Sequence, residues 1–128
     1  MSYSIRVETD LSLADAESRV RAALAEEGFG VLTEIDVAST LHDKLGVERP
    51  AYRILGACNP VLADQALRSE PDIGVLLPCN VVVYDDGGRT VVAAFDPAVM
   101  PSITGNDDLM RLADDARDRL MRALDAIG

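Results

Sequence analysis

Cys79-Asn80-Val81-Val82-Val83-Tyr84-Asp85-Asp86-Gly87-Gly88-Arg89-Thr90-Val91-Val92-Ala93-Ala94-Phe95 decides the architecture. Two β-branched apolar runs, Cys79 to Tyr84 and Thr90 to Phe95, flank an Asp/Gly cluster, which is the signature of a β-hairpin. A hairpin joins antiparallel strands directly, so it breaks the strand-helix alternation that a parallel doubly wound sheet requires. Working outward, Tyr52 to Cys58 is a third apolar run, small and nearly continuous, which predicts a strand buried on both faces. Tyr3 to Val7 alternates apolar and polar residues and reads as an N-terminal strand. Phe29 to Val37 is apolar at its odd positions and reads as another.

Helices fill the remaining intervals. Ser12 is an N-cap with Asp15 three residues on, and Leu13, Ala16, Val20, Ala23 and Leu24 recur at helical spacing up to a stop at Gly28. Ala38, Leu41 and Leu45 mark a short helix closed by Gly46. Asn59-Pro60 starts another, with Asn as cap and Pro at the first helical position, running to about Ser69 before Pro71. From about Asn106, Leu109, Leu112, Ala113, Ala116, Leu120, Ala123, Leu124 and Ile127 form one apolar stripe. The expected fold is α+β: a mostly antiparallel sheet with helices packed on one face, as one domain over residues 1–128.

Composition narrows the function. Twenty-two acidic against 12 basic side chains give a net charge of -10, which repels phosphate backbones and anionic membranes. Lys44 is the one lysine and the eleven arginines are dispersed, so no nucleic-acid partner is expected. The longest apolar runs, such as Val91 to Phe95, fall far short of the ~20 residues that span a bilayer. No basic stretch followed by an apolar run opens the chain, so no signal peptide and a cytoplasmic location are expected. In that reducing setting two cysteines are expected to be free, metal-bound or transiently oxidised.

Those cysteines are the candidate chemistry. Cys58 precedes the Asn59-Pro60 helix start, where unpaired backbone N–H groups favour a thiolate. Cys79 follows Pro78, which marks a strand beginning. Antiparallel pairing of the Tyr52–Cys58 and Cys79–Tyr84 strands would bring the end of one to the start of the other, and the two thiols close together. Close thiols suit a reversible disulfide, a persulfide relay or a soft metal such as Cu(I) or Zn(II). A closed zinc site asks for about four ligands, whereas the chain offers two cysteines and the lone His42, which the flanking Leu41 and Asp43 place on a polar helix facing solvent. The Gly56-Ala57-Cys58-Asn59-Pro60 turn lacks the glycine and lysine pattern of a phosphate loop. No Ser/His/Asp triad can be assembled, and the sequence names no cofactor.

Phe29-Gly30-Val31-Leu32-Thr33-Glu34-Ile35-Asp36, Lys44-Leu45-Gly46, Tyr52-Arg53-Ile54-Leu55-Gly56-Ala57-Cys58-Asn59-Pro60 and Gly74-Val75-Leu76-Leu77-Pro78-Cys79-Asn80-Val81-Val82-Val83 together resemble the family catalogued as domain of unknown function 302, in its cysteine-bearing branch. The resemblance covers nearly the whole chain. It implies a TATA-binding-protein-like α+β domain, a curved antiparallel sheet against two long helices, paired as a homodimer. It carries no established activity, and many branches have other residues in place of Cys58 and Cys79. Lys44, Glu34 and Asn80 match the branch's pattern and, with Asn59, are candidates for lining a ligand pocket. Two readings follow. One is a homodimeric thiol protein using Cys58 and Cys79 for redox, sulfur or soft-metal handling. The alternative is a non-enzymatic module that binds a small ligand or a protein partner, with the cysteines as core filler. A conventional enzyme ranks below both, since proton-transfer groups are scarce outside Lys44, Glu34 and His42.

Overall fold

A computed structural model describes residues 2–128. Five strands, β1 (Ser4–Thr9), β2 (Gly30–Asp36), β3 (Tyr52–Cys58), β4 (Cys79–Asp86) and β5 (Arg89–Phe95), form one sheet in the order β1-β5-β4-β3-β2. Every neighbouring pair is antiparallel. The β4–β5 hairpin turns on Gly87 and Gly88, both at positive φ (62° and 95°), as a two-residue turn matched to strand twist demands. The α+β antiparallel architecture read from the hairpin is the one observed.

Five helices accompany the sheet: α1 (Leu13–Glu26), α2 (Val37–Leu45), α3 (Pro60–Ser69), α4 (Val99–Thr104) and α5 (Met110–Asp125). Ser12 caps α1 by accepting from the Asp15 N–H at 3.1 Å, and Asn59 caps α3 by accepting from Leu62 N–H at 3.2 Å. The long helices α1 and α5 bury Val20, Leu24, Leu120 and Leu124 against Leu55, Val81, Val83 and Val92 of the sheet. Each such side chain contributes about 1.5–3 kcal/mol of transfer free energy, so this layer holds the domain together. A smaller cluster of Ala66, Ile73, Cys79, Met100 and Leu109 lies under α3, α4 and a 3-10 turn at Pro71–Leu76.

Several local expectations shift. The final helix is preceded by a 3-10 turn, Asp107–Leu109, capped by Asn106 through the Asp108 N–H at 3.0 Å, and α5 itself starts at Met110. Neither α4 nor the Pro71–Leu76 turn shows a helical period in the sequence. The strand β2 is largely exposed, with Leu32 at 68% and Ile35 at 48%. Its register shifts between Val31 and Thr33. The extra residue moves Ile35 to the face away from the helices, where it pairs with Ile54. Burial on both faces of β3 holds at Leu55, Gly56 and Ala57, while Tyr52, Arg53 and Ile54 are only half-buried.

Candidate functional site

The β3–β4 register decides the site. Ala57 pairs with Cys79 and Gly56 with Asn80, so Cys58, the last residue of β3, lies diagonally next to Cys79, the first of β4. Both thiols are free. They line one pocket walled by Phe29, Leu62 and Ala66 on one side and by Met100, Leu109 and Leu112 on the other. Its cavity volume is about 50 Å³. The wall is apolar because it is made from the stripe of α5, the inner face of α3 and the residues around Pro97, which the sequence presents as ordinary core.

The two cysteines differ. Cys79 is buried at 7% exposure, and its thiol is pushed up to about 11, first by burial and then by the neighbouring Cys58. Loss of hydration disfavours the thiolate, so Cys79 holds its proton at neutral pH. Cys58 is half-exposed and sits immediately before the N-cap of α3.

Asn59 fixes that corner. Its side-chain oxygen accepts from Leu62 N–H, and its amide donates to the Glu27 carbonyl at 3.4 Å. The Arg119 Nη1 donates to the same carbonyl at 3.1 Å. The end of α1, the start of α3 and the middle of α5 thus meet at one oxygen. Gly28 follows at φ 84°, and a Cβ there would stand 3.0 Å from the Asn59 amide nitrogen.

Close approach also explains Gly56. A Cβ on it would lie 2.2 Å from Thr33 Oγ1 and 2.9 Å from Pro78 Cγ, closer than atoms can pack. Pro78 therefore lies directly over β3 at Gly56, and Cys79 follows it beside Ala57.

The remaining candidates lie elsewhere. Asn80 alternates to the opposite face of the sheet, where it borders an open concavity with Tyr52, Val82 and Tyr84. Glu34 belongs to an ion-pair cluster: it accepts from Arg21 Nη2 and from Arg53 Nη2 (3.3 Å), while Arg53 Nε also donates to Glu17 at 2.9 Å. These opposite charges hold the Arg53 guanidinium above its ordinary value, the hydrogen bond to Glu17 contributing most. Lys44 is exposed in the last turn of α2, and His42 is exposed between Asp43 and Glu48, at 3.6 and 3.5 Å. Of the sequence candidates, the fold brings together Cys58, Cys79 and Asn59. Among the described residues no cluster of three or more His, Cys, Asp or Glu is arranged to hold a metal. Nor is any helix long and apolar enough to cross a membrane.

Met100 is the pocket residue that sequence reading misses. It is 7% exposed on α4 and shares the buried cluster of Cys79. An isolated methionine between Pro97 and Pro101 gives no periodic signal.

The chain is similar to an uncharacterized conserved protein DUF302 from Bacillus stearothermophilus, whose crystal structure aligns over 100% of both chains with a TM-score of 0.94 and 29% identity. No curated protein matches it. The model of the domain of unknown function DUF302 matches residues 5–127, and the chain belongs to that family.

Proposed function

We propose that this chain is a homodimeric thiol protein in which Cys58 and Cys79 act together on sulfur, electrons or a soft metal. The observation that supports it most is that two free cysteines from separate motifs line the same pocket, close enough for the Cys58 thiol to act on that of Cys79. The asymmetry of the pair gives each a role. Cys58, half-exposed at the start of α3, is the attacking or capturing thiol, since a helix N-terminus stabilises developing negative charge. Cys79, buried and protonated, is the resolving partner. Two cysteines in an acidic chain of this size fit a reducing compartment such as the cytoplasm, where thiols are kept for chemistry and not for staples.

The sheet supports the homodimer. An antiparallel sheet with one free face normally carries polar side chains there. Here the face away from α1 and α5 presents Tyr52, Ile54, Val82 and Tyr84, the two tyrosine rings stacked at 5.1 Å. A second copy is the proposed cover.

A thiol reagent applied across pH to the native protein and to Cys58→Ser and Cys79→Ser tests the reading. Cys58, the more exposed thiol, should react faster than Cys79, and its reactivity should change when Cys79 is replaced. Independent, equally slow thiols would defeat the proposal. They would favour the second reading, an apolar ligand held in the pocket with the cysteines as part of its wall, for which the pocket's apolar lining speaks.

A further inference from the structure

We propose that the pocket binds one soft monovalent cation, Cu(I) or its analogue Ag(I), on the sulfur atoms of Cys58, Cys79 and Met100. This rests on the thiol reading above and names its ligand class. Three different elements, the end of β3, the start of β4 and the helix α4, each contribute one sulfur-bearing residue to the lining of the same pocket. Cys79 and Met100 belong to the same buried cluster.

The remainder of the lining decides which ion. Among the described residues no charged side chain borders the pocket. Its one side-chain amide, Asn59, already uses its oxygen on Leu62 N–H and its nitrogen on the Glu27 carbonyl. A hard cation that needs carboxylate or carbonyl oxygens finds none offered by these side chains, whereas thiolate and thioether sulfur select soft ions. Zinc is disfavoured by the same count, since its closed sites take four nitrogen, thiolate or carboxylate ligands.

Binding is written as exchange without electron transfer: the cation enters, each coordinating cysteine releases its proton to solvent, and Met100 contributes a neutral lone pair. Two thiolates around a single positive charge leave one net negative charge. The N-terminus of α3, ten residues long and beginning beside Cys58, is oriented to offset it.

The test is a titration of the reduced full-length protein with Cu(I) under anaerobic conditions, against the chromogenic chelator bathocuproine disulfonate. One ion per chain is expected. Cys58→Ser and Cys79→Ser should each weaken binding by more than about 100-fold, beyond what loss of an outer-shell partner costs. Met100→Leu, a volume-conserving swap that keeps the core filled, should weaken it by roughly tenfold, equivalent to about 1.4 kcal/mol, with little change in melting temperature. Met121→Leu, outside the pocket lining, should leave it unchanged. Equal affinity in Met100→Leu and wild type overturns the three-sulfur site. If no Cu(I) is retained while the thiols still react as a coupled pair, the metal inference falls and the thiol reading stands. If the thiols are also uncoupled, both fall.

Discussion

Replacing Gly56 by alanine tests how the two cysteine-bearing strands are held. In a strand the change would ordinarily stabilise by about 0.4–1 kcal/mol, because alanine leaves the unfolded chain fewer conformations to lose. At this position the new methyl would lie 2.2 Å from Thr33 Oγ1 and 2.9 Å from Pro78 Cγ, against an ordinary contact of 3.4–4 Å. Rotation about χ1 of Thr33 relieves the first contact at the cost of a less favoured rotamer. The second involves a ring that can only pucker or move with the backbone of Pro78-Cys79. Overpacking of this kind costs about 1–3 kcal/mol, so the net expectation is a loss of about 1–2 kcal/mol. For a domain of this size that lowers the melting temperature by roughly 4–10 °C. Urea denaturation of Gly56→Ala beside wild type measures it. The double variant Thr33→Ala/Gly56→Ala should recover part of the loss, because Thr33 Oγ1 is gone and Pro78 remains. A Gly56→Ala protein as stable as wild type, or no recovery in the double variant, would refute the account of why β3 carries glycine there.

Other consequences follow from the same geometry. Because the folded protein raises the Cys79 thiol from 9.0 to about 11, its protonated form is favoured by folding. That contribution is fully present below pH 9 and lost as pH rises towards 11. Wild type should therefore lose about 2–3 kcal/mol more unfolding free energy over that window than Cys79→Ala does; parallel urea melts at the two ends would show it, and identical slopes would exclude it. Asn59→Ala should cost about 1–2 kcal/mol through loss of the α3 cap, while Asn59→Ser, which keeps a capping acceptor and loses the amide donor to Glu27, should cost less; equal losses would mean that the cap is not what matters. Val82→Glu, in the middle of the uncovered sheet face, should turn the proposed dimer into a monomer by light scattering without changing the far-UV circular dichroism. A variant that stays dimeric would move the interface off that face.

The parts of the fold legible in the sequence are those written in local chemistry. Gly87-Gly88 could specify the hairpin because two adjacent glycines readily supply the positive φ that both turn residues adopt. Asn59-Pro60 could specify the start of α3 because cap and first-turn proline act within a few residues. The adjacency of the thiols was readable only once an antiparallel partner was assumed, since a register is a relation between two distant segments. The extra residue in β2 escaped because alternation from Phe29 to Val37 looks regular until the partner strand shows that Leu32 has none. Side-chain parity separates Asn80 from Cys79: adjacent residues of a strand face opposite sides, so a motif contiguous in sequence is split between the pocket and the open face. Glu34 is drawn away by two arginines, one of them 19 residues along the chain.

Met100 has a wider consequence for how such pockets arise. Between the end of β5 at Phe95 and the start of α4 at Val99 stands Asp96, whose carboxylate accepts from the Ala98 N–H at 3.0 Å and from Arg117 Nε of α5 at 3.2 Å. Asp96 is buried at 7% exposure. Burying a carboxylate is costly unless it is paired and hydrogen-bonded, and here it has both partners. The return for that burial is direction: the chain leaves the sheet, turns at Pro97, and lays α4 against α5 so that Met100 points into the cluster of Cys79. The strand pairing that brings the cysteines together and the Asp96–Arg117 ion pair at the entry to α4 are separate devices, formed by different segments of the chain. Together they leave one apolar pocket lined by three sulfur-bearing side chains, the basis of the proposed cation site, while Asp96, through its bonds to Ala98 and Arg117, fixes the turn that leads into α4.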